Sequence, residues 1–280
     1  MCVTLTRMDD YRVVNRESWD ERVAAHAASP DYKLAEFERD PSYISDVVRF
    51  DLPRLGDVSG LRGVHLQCHI GTDTVSLARL GAQMSGLDFS GPAVEQAQSF
   101  ADKLGLEVDF HQADVYDAVD VLGAASYDLV FTGIGAIGWL PSIDRWAATV
   151  SGLLKPGGRL FIREGHPMLW ALDEATDKLE VGYPYFETQE PMVWDEGGTY
   201  VETDVQFEHT VTHEWNHGLG EIITALIEHG LQLTAFEEHD SAPWVPLPGK
   251  MTKDPDFNEW RLTDRPERLP CTYTLQAVKL

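Results

Sequence analysis

The chain has 280 residues and a formal net charge of −24, from 46 acids against 22 bases. That length buries a sizeable core as one large domain, or one domain with an insertion. The acidity disfavours nucleic acid and anionic membranes as partners, because both are bound through Lys and Arg.

No stretch nears the roughly 18 apolar residues of a membrane span, and Met1–Asp10 lack the apolar centre of a signal peptide. Cys2, Cys68 and Cys271 are widely spaced, without a C-x-x-C. That spacing argues against a disulfide framework or thiolate zinc cluster and fits a cytoplasmic protein.

Residues 11–60 read as helical. Ser18-Trp-Asp-Glu21 matches a capping box opening a helix through Ala28, Ser29-Pro30 breaks it, and Asp40-Pro41 starts a second helix that Leu52-Pro53 ends. Trp19, Tyr32, Tyr43 and Phe50 in this segment form either a lid over a pocket or part of the core. From Leu61 the chain alternates strands and helices, as in a parallel sheet with crossover helices. Val64, Leu66 and Cys68 mark the first strand, and Gly71 sits at the turn into a helix that Gly81 stops. Met84–Leu87 then lead to Asp88. A glycine turn at a helix start aims free N–H groups at a ligand, and an acid ending the next strand accepts ribose hydroxyls. The unit therefore binds a nucleoside.

Ser90 caps the next helix, whose Val94, Ala97, Ala101 and Leu104 share a face. Leu106–His111 is the third strand, followed by Ala113-Asp114-Val115, and Tyr127–Thr132 is the fourth. A helix over about 142–153 and the turn Lys155-Pro-Gly-Gly158 precede the fifth strand. Residues 166–217 break the rhythm with aromatics and prolines, and the alternation of 200–211 predicts an antiparallel strand or hairpin. A helix over 220–228, a strand from Leu231, a proline-rich loop over 241–270 and a last strand close the chain.

Three motifs suggest other chemistry. Gly133-Ile-Gly-Ala-Ile-Gly138 spells G-x-G-x-x-G after a strand, but Trp139-Leu140-Pro141 delays the helix that a dinucleotide fold packs on its last glycine. His213-Glu-Trp-Asn-His217 spells H-E-x-x-H, with His209 nearby. In an extended chain those histidines lie about 13 Å apart, too far to share a zinc. Cys68 is expected to pack as a small buried hydrophobe rather than act as a nucleophile.

The ordered set Gly71, Asp88-Phe89-Ser90, Ala113-Asp114-Val115, Tyr127–Phe131 and Leu154-Lys-Pro-Gly-Gly-Arg159 resembles the class I S-adenosylmethionine-dependent methyltransferases. The resemblance covers roughly 61–164 and 220–280. It implies a doubly wound Rossmann-like α/β sheet, mostly parallel with an antiparallel last strand, and S-adenosylmethionine as cofactor. It further implies a helical N-terminal segment (1–60), a cofactor-binding core (61–165 and 218–280) and a β-rich, substrate-side insertion (166–217).

Carried over by position, Asp88 accepts the ribose hydroxyls and Phe89 packs on the adenine. Asp114 takes the adenine amino group beside the Val115 N–H, while Thr132, Gly133 and Ile134 border the methionine end. The first motif departs from the family's acid and three alternating glycines: Gln67, His69, Gly71 and Asp73 stand there, with Gly71 as the central glycine. Side chains at 69 and 73 call for ordinary φ values, and with Gln67 in place of an acid, Asp73 and Asp114 are alternatives for the cofactor's α-ammonium.

The expected activity is methyl transfer to a small molecule, with oxygen, nitrogen and sulfur acceptors all open and no metal. Trp19, Trp194, Trp215 and Asn216 are candidates for acceptor contact, and His213, His217 and His166 for a general base. A nicotinamide-dependent oxidoreductase built on the Gly133 string, and a non-catalytic ligand-binding protein of the same fold, are the alternatives.

Overall fold

The computed structural model describes residues 10–254 and 258–280; Cys2 and all of the segment Met1–Asp10 except its last residue lie outside them. The chain opens with helices α1 (Asp10–Ala28), α2 (Leu34–Arg39) and α3 (Asp46–Leu55). The alternating region follows as β1 (Arg62–Leu66), α4 (Thr72–Arg79), β2 (Gln83–Asp88), α5 (Gly91–Lys103), β3 (Asp109–Gln112), α6 (Ala118–Leu122), β4 (Tyr127–Thr132), α7 (Ile143–Leu153) and β5 (Leu154–Gly165). Beyond it come α8 (Pro167–Trp170), β6 (Met192–Asp195), β7 (Val211–Glu214), α9 (Leu219–Glu228), β8 (Leu231–His239), β9 (Ser241–Ala242), β10 (Met251–Asp254), β11 (Glu259–Leu262) and β12 (Thr272–Lys279).

Seven strands form one sheet in the order β3-β2-β1-β4-β5-β12-β8. β1 pairs in parallel with β2 and β4, and β12 runs antiparallel to both β5 and β8. The order reverses between β1 and β4, and the crevice at their carboxyl ends is where such sheets bind ligands. Both faces are covered. Val64, Leu66, Leu160 and Ile162 pack with Trp146 and Val150 of α7 and Leu226 of α9. On the other face Leu129, Phe131 and Phe161 meet Val48 and Leu55 of α3, Leu77 of α4 and Phe100 of α5. This double cover explains the apolar run Leu129–Phe131 in β4.

Several local expectations are corrected. Ser18 lies inside α1, where it holds Arg22: the guanidinium donates to both the Ser18 hydroxyl and its carbonyl. The cap of α3 is Ser45, whose hydroxyl accepts from the Val48 N–H, rather than Asp40. Residues 200–209 form no strand; pairing is confined to Val211–Glu214 against Met192–Asp195. The supposed loop 241–270 holds a second small sheet, β10-β11-β9.

Candidate active site at the carboxyl ends of β1, β2 and β4

The turn after β1 is more contorted than expected. Gln67, His69 and Gly71 have φ of 56°, 51° and 81°, and Asp73 is already helical. The left-handed positions are thus 67, 69 and 71, so Gly71 is the third glycine position and not the central one. The same two-residue step carries the acid position back to His65 on β1. Gly71 must be glycine twice over, since an added Cβ would lie 2.9 Å from both Ala97 and Phe110. Non-glycine residues at 67 and 69 store strain of the kind that persists where a site needs it.

Side chains hold the strained loop. Gln67 donates its amide to the Ala136 carbonyl at 2.7 Å, tying the β1 turn to the β4 tip. Asp88 accepts the His69 N–H at 2.8 Å and the Ser90 N–H at 2.9 Å. Burial raises the Asp88 carboxyl to about 6 against those N–H donors. Asp114 accepts the Tyr116 N–H at the start of a short 3-10 turn and pairs with Arg12 of α1 at 3.0 Å. Val115 is buried behind it, and Phe89 is half-buried above Asp88.

α1 lies across this crevice. Besides Arg12, its Asp20 accepts from the Ser90 hydroxyl at 2.5 Å, and Trp19 packs against His69, Trp139 and Tyr200 with centroids 4.8, 5.4 and 6.3 Å away. His26 Nδ1 meets His69 Nε2 at 2.9 Å, and its other nitrogen meets the Thr199 hydroxyl at 2.7 Å. Tyr32 and Tyr200 share a hydrogen bond beside them. Burial depresses His26 to about 4, so the pair is neutral at neutral pH.

The Gly133 string is already filled by the protein's own carboxylate. Glu164 accepts the N–H groups of Gly135 and Gly165 through one oxygen and those of Ala136 and Ile137 through the other, at 2.5–3.1 Å. The donors that a dinucleotide phosphate would need are spent, and α7 begins only at Ile143.

The histidine motif is not a zinc helix either. His213 lies on β7, where its backbone exchanges two hydrogen bonds with the Asn15 side chain. Among the described residues, no cluster of three or more His, Cys, Asp or Glu could hold a metal ion. His217 is a clamp: Nδ1 meets Glu187 at 2.8 Å and Nε2 donates to the Ile137 and Leu140 carbonyls. His166 caps α8 through Nδ1 and meets Glu238 through Nε2 at 2.9 Å. Asn216 donates to the carbonyls of Pro167 and Pro184. These three side chains are committed to internal contacts, which does not suit a free base or an acceptor contact. Trp215 is buried against Tyr11, whereas Trp194 of β6 meets Tyr183 edge-on. Cys68 is buried, and burial raises its thiol well above the ordinary range, so it is no nucleophile.

The crevice carries the marks of a polar ligand. Gln67 Oε1, His69 Nδ1 and Thr132 Oγ1 are buried without a hydrogen-bond partner, a costly state unless a ligand completes them. Glycine at 133 keeps open a space that a Cβ would fill, 3.2 Å from His65 Nε2 and 3.6 Å from Asp73 Oδ2. Residues 64–160 match the family described as a methyltransferase domain. A methyltransferase domain over those residues, together with the seven-stranded sheet, is consistent with the class I S-adenosylmethionine-dependent methyltransferase family.

The crevice residues fit S-adenosylmethionine as the cofactor: a carboxylate for hydroxyls, unpartnered polar atoms and an open glycine at the β4 tip. The chain is 28% identical over 234 residues to a ubiquinone biosynthesis O-methyltransferase of Brucella anthropi, covering 83% of this chain and 79% of that one. A protein of the same description from Nitrosococcus oceani is 32% identical over 104 residues, which is 37% of this chain and 43% of the other. A solved S-adenosylmethionine-dependent methyltransferase from Mesorhizobium loti has the same fold, with a TM-score of 0.54, 21% identity and coverage of 83% and 95%. Among the described residues no helix is long and apolar enough to cross a membrane.

Proposed function

We propose that this methyltransferase methylates a hydroxyl of a small aromatic molecule, enclosed between α1, the segment around Tyr200 and the β4 tip. One observation carries the reading: the rings of Trp19, His26, Tyr32, His69, Trp139 and Tyr200 converge over the cofactor turn. A flat apolar acceptor gains both area and ring contacts in such a lining. The O-methyltransferase relatives support a hydroxyl as the accepting group. The net charge of −24 argues against nucleic acid, and the free buried cysteines Cys68 and Cys271 agree with action in the cytoplasm.

Asp88 is assigned to the ribose, Asp114, Phe89 and Val115 to the adenine, and Gln67, His69, Asp73, Thr132, Gly133 and Ile134 to the methionine end. Methyl transfer is an in-line displacement, so the protein's part is to orient the acceptor and exclude water. When bound, the cofactor supplies an electrophilic methyl group. Trp19 is the acceptor contact favoured by this geometry, and His213 the one candidate histidine whose ring is not tied into a clamp described above.

The assay is release of S-adenosylhomocysteine from S-adenosylmethionine with simple phenols and catechols, primary amines, thiols and DNA as acceptors. Turnover of a phenol or catechol, with none on DNA, is expected. Turnover of DNA, or of amines or thiols alone, would contradict the reading.

A further inference from the structure

We infer that Asp73, in the first turn of α4, is the residue that holds the cofactor's α-ammonium, in place of an acid that β1 lacks. The inference rests on S-adenosylmethionine occupying the crevice between β1 and β4.

The ends of β1 and β4 present buried polar atoms without partners. Gln67 has its amide nitrogen spent on Ala136, which leaves Oε1 as a fixed acceptor, buried and unpartnered. Thr132, 0% exposed, leaves Oγ1 unpartnered at the tip of β4. Asp73 Oδ2 faces the same tip, 3.6 Å from the point where a Cβ on Gly133 would stand. A group that presents several N–H donors and a positive charge satisfies all of these at once. In the cofactor that group is the α-ammonium.

His65 cannot supply the charge. It occupies the acid position of the turn and reaches the same space, with Nε2 3.2 Å from the Gly133 Cβ point. Its Nδ1 is engaged by the Thr74 hydroxyl at 2.9 Å, and burial depresses it to about 3, so the ring is neutral. The other candidate, Asp114, is spent on Tyr116 and Arg12 and follows β3, two strands away from β1. Asp73 is left as the carboxyl group at the methionine end; burial raises it above the ordinary range against the Ser45 side chain and the Arg163 charge, and a bound ammonium is the partner that restores its anion. The turn has moved its acid from the strand to the following helix, where a carboxylate is also favoured by the helix dipole.

The test compares two ligands by calorimetry at pH 7: S-adenosylhomocysteine, which carries the ammonium, and 5′-methylthioadenosine, which lacks the amino-acid end. For Asp73→Asn, affinity for S-adenosylhomocysteine should fall roughly 10- to 100-fold, as expected for one charge-assisted bond. Affinity for 5′-methylthioadenosine should change less than twofold, which also certifies the variant's fold. The double variant His65→Asp, Asp73→Asn returns an acid to the strand and should recover most of the lost affinity. An Asp73→Asn protein that binds S-adenosylhomocysteine as the wild type does, or that loses both ligands equally, overturns the inference. If the wild type binds neither ligand, the cofactor assignment itself has failed.

Discussion

Asp51 stands where the repeat of α3 calls for an aliphatic side chain. Val48, Asp51 and Leu55 are the buried face of that helix, and both Asp51 oxygens are buried without a partner. Burial pushes its carboxyl to about 7 despite the Arg163 guanidinium nearby. The folded value is the higher one, so the unfolded chain ionises first as pH rises. The residue therefore costs nothing below about pH 4, and its cost grows through the window to about pH 7. Three pKa units correspond to about 4 kcal/mol, an order of magnitude for a fully buried group. Asp51→Asn should be more stable than the wild type by about 2–4 kcal/mol at pH 8 and level with it at pH 4, measured by urea unfolding. An equal effect at both pH values would show that the fold does not shift the Asp51 carboxyl.

At the scale of elements, the decisive arrangement is α1 over the crevice. Apart from Trp19, Tyr11 and Val23, which packs on Ile70 and Ala93, it is held largely by polar contacts, so it should open below the energy of global unfolding. Trp19→Ala should raise amide exchange across α1 at least about tenfold while β1, β4 and β5 exchange as before. Unchanged exchange in α1 would mean that the ring cluster does not hold it.

The αβ rhythm from Leu61 to Gly165 was legible because each helix stripe and each buried strand repeats over several residues. The turn after β1 was not. Side chains at 67 and 69 argue for ordinary φ, yet surrounding contacts force both into the left-handed region, which moved the glycine register by one step. The segment 200–209 alternates like a strand, but here the Arg22 guanidinium on Gly198 and His209 carbonyls, and Glu21 on the Glu208 and His209 N–H groups, fasten an irregular chain to α1. The committed rings of His166 and His217 also needed the structure, since nothing local says that their partners are Glu238 and Glu187. Asp88 and the β4 tip were readable because their place follows from strand order alone.

At the scale of the whole molecule, a buried ion pair joins the main sheet to the small one. Arg163 of β5 is 0% exposed and Glu259 of β11 1% exposed, joined by two bonds of 3.2 and 2.8 Å, with Ser241 and Thr272 completing the network. Glu259→Gln leaves the guanidinium uncompensated and should cost about 3–5 kcal/mol in urea unfolding; a cost below about 1 kcal/mol would mark the pair as dispensable. That network fixes the β5 end beside α3, and Glu164 on the next position fixes the β4 tip, so the crevice is assembled from distant parts of one fold. Calorimetry with S-adenosylhomocysteine tests the central claim that this crevice is the cofactor site. One molecule should bind per chain, and Asp88→Ala should weaken binding at least about tenfold, the loss of one charge-assisted bond. Absence of binding to the wild type, or wild-type affinity in Asp88→Ala, would contradict it.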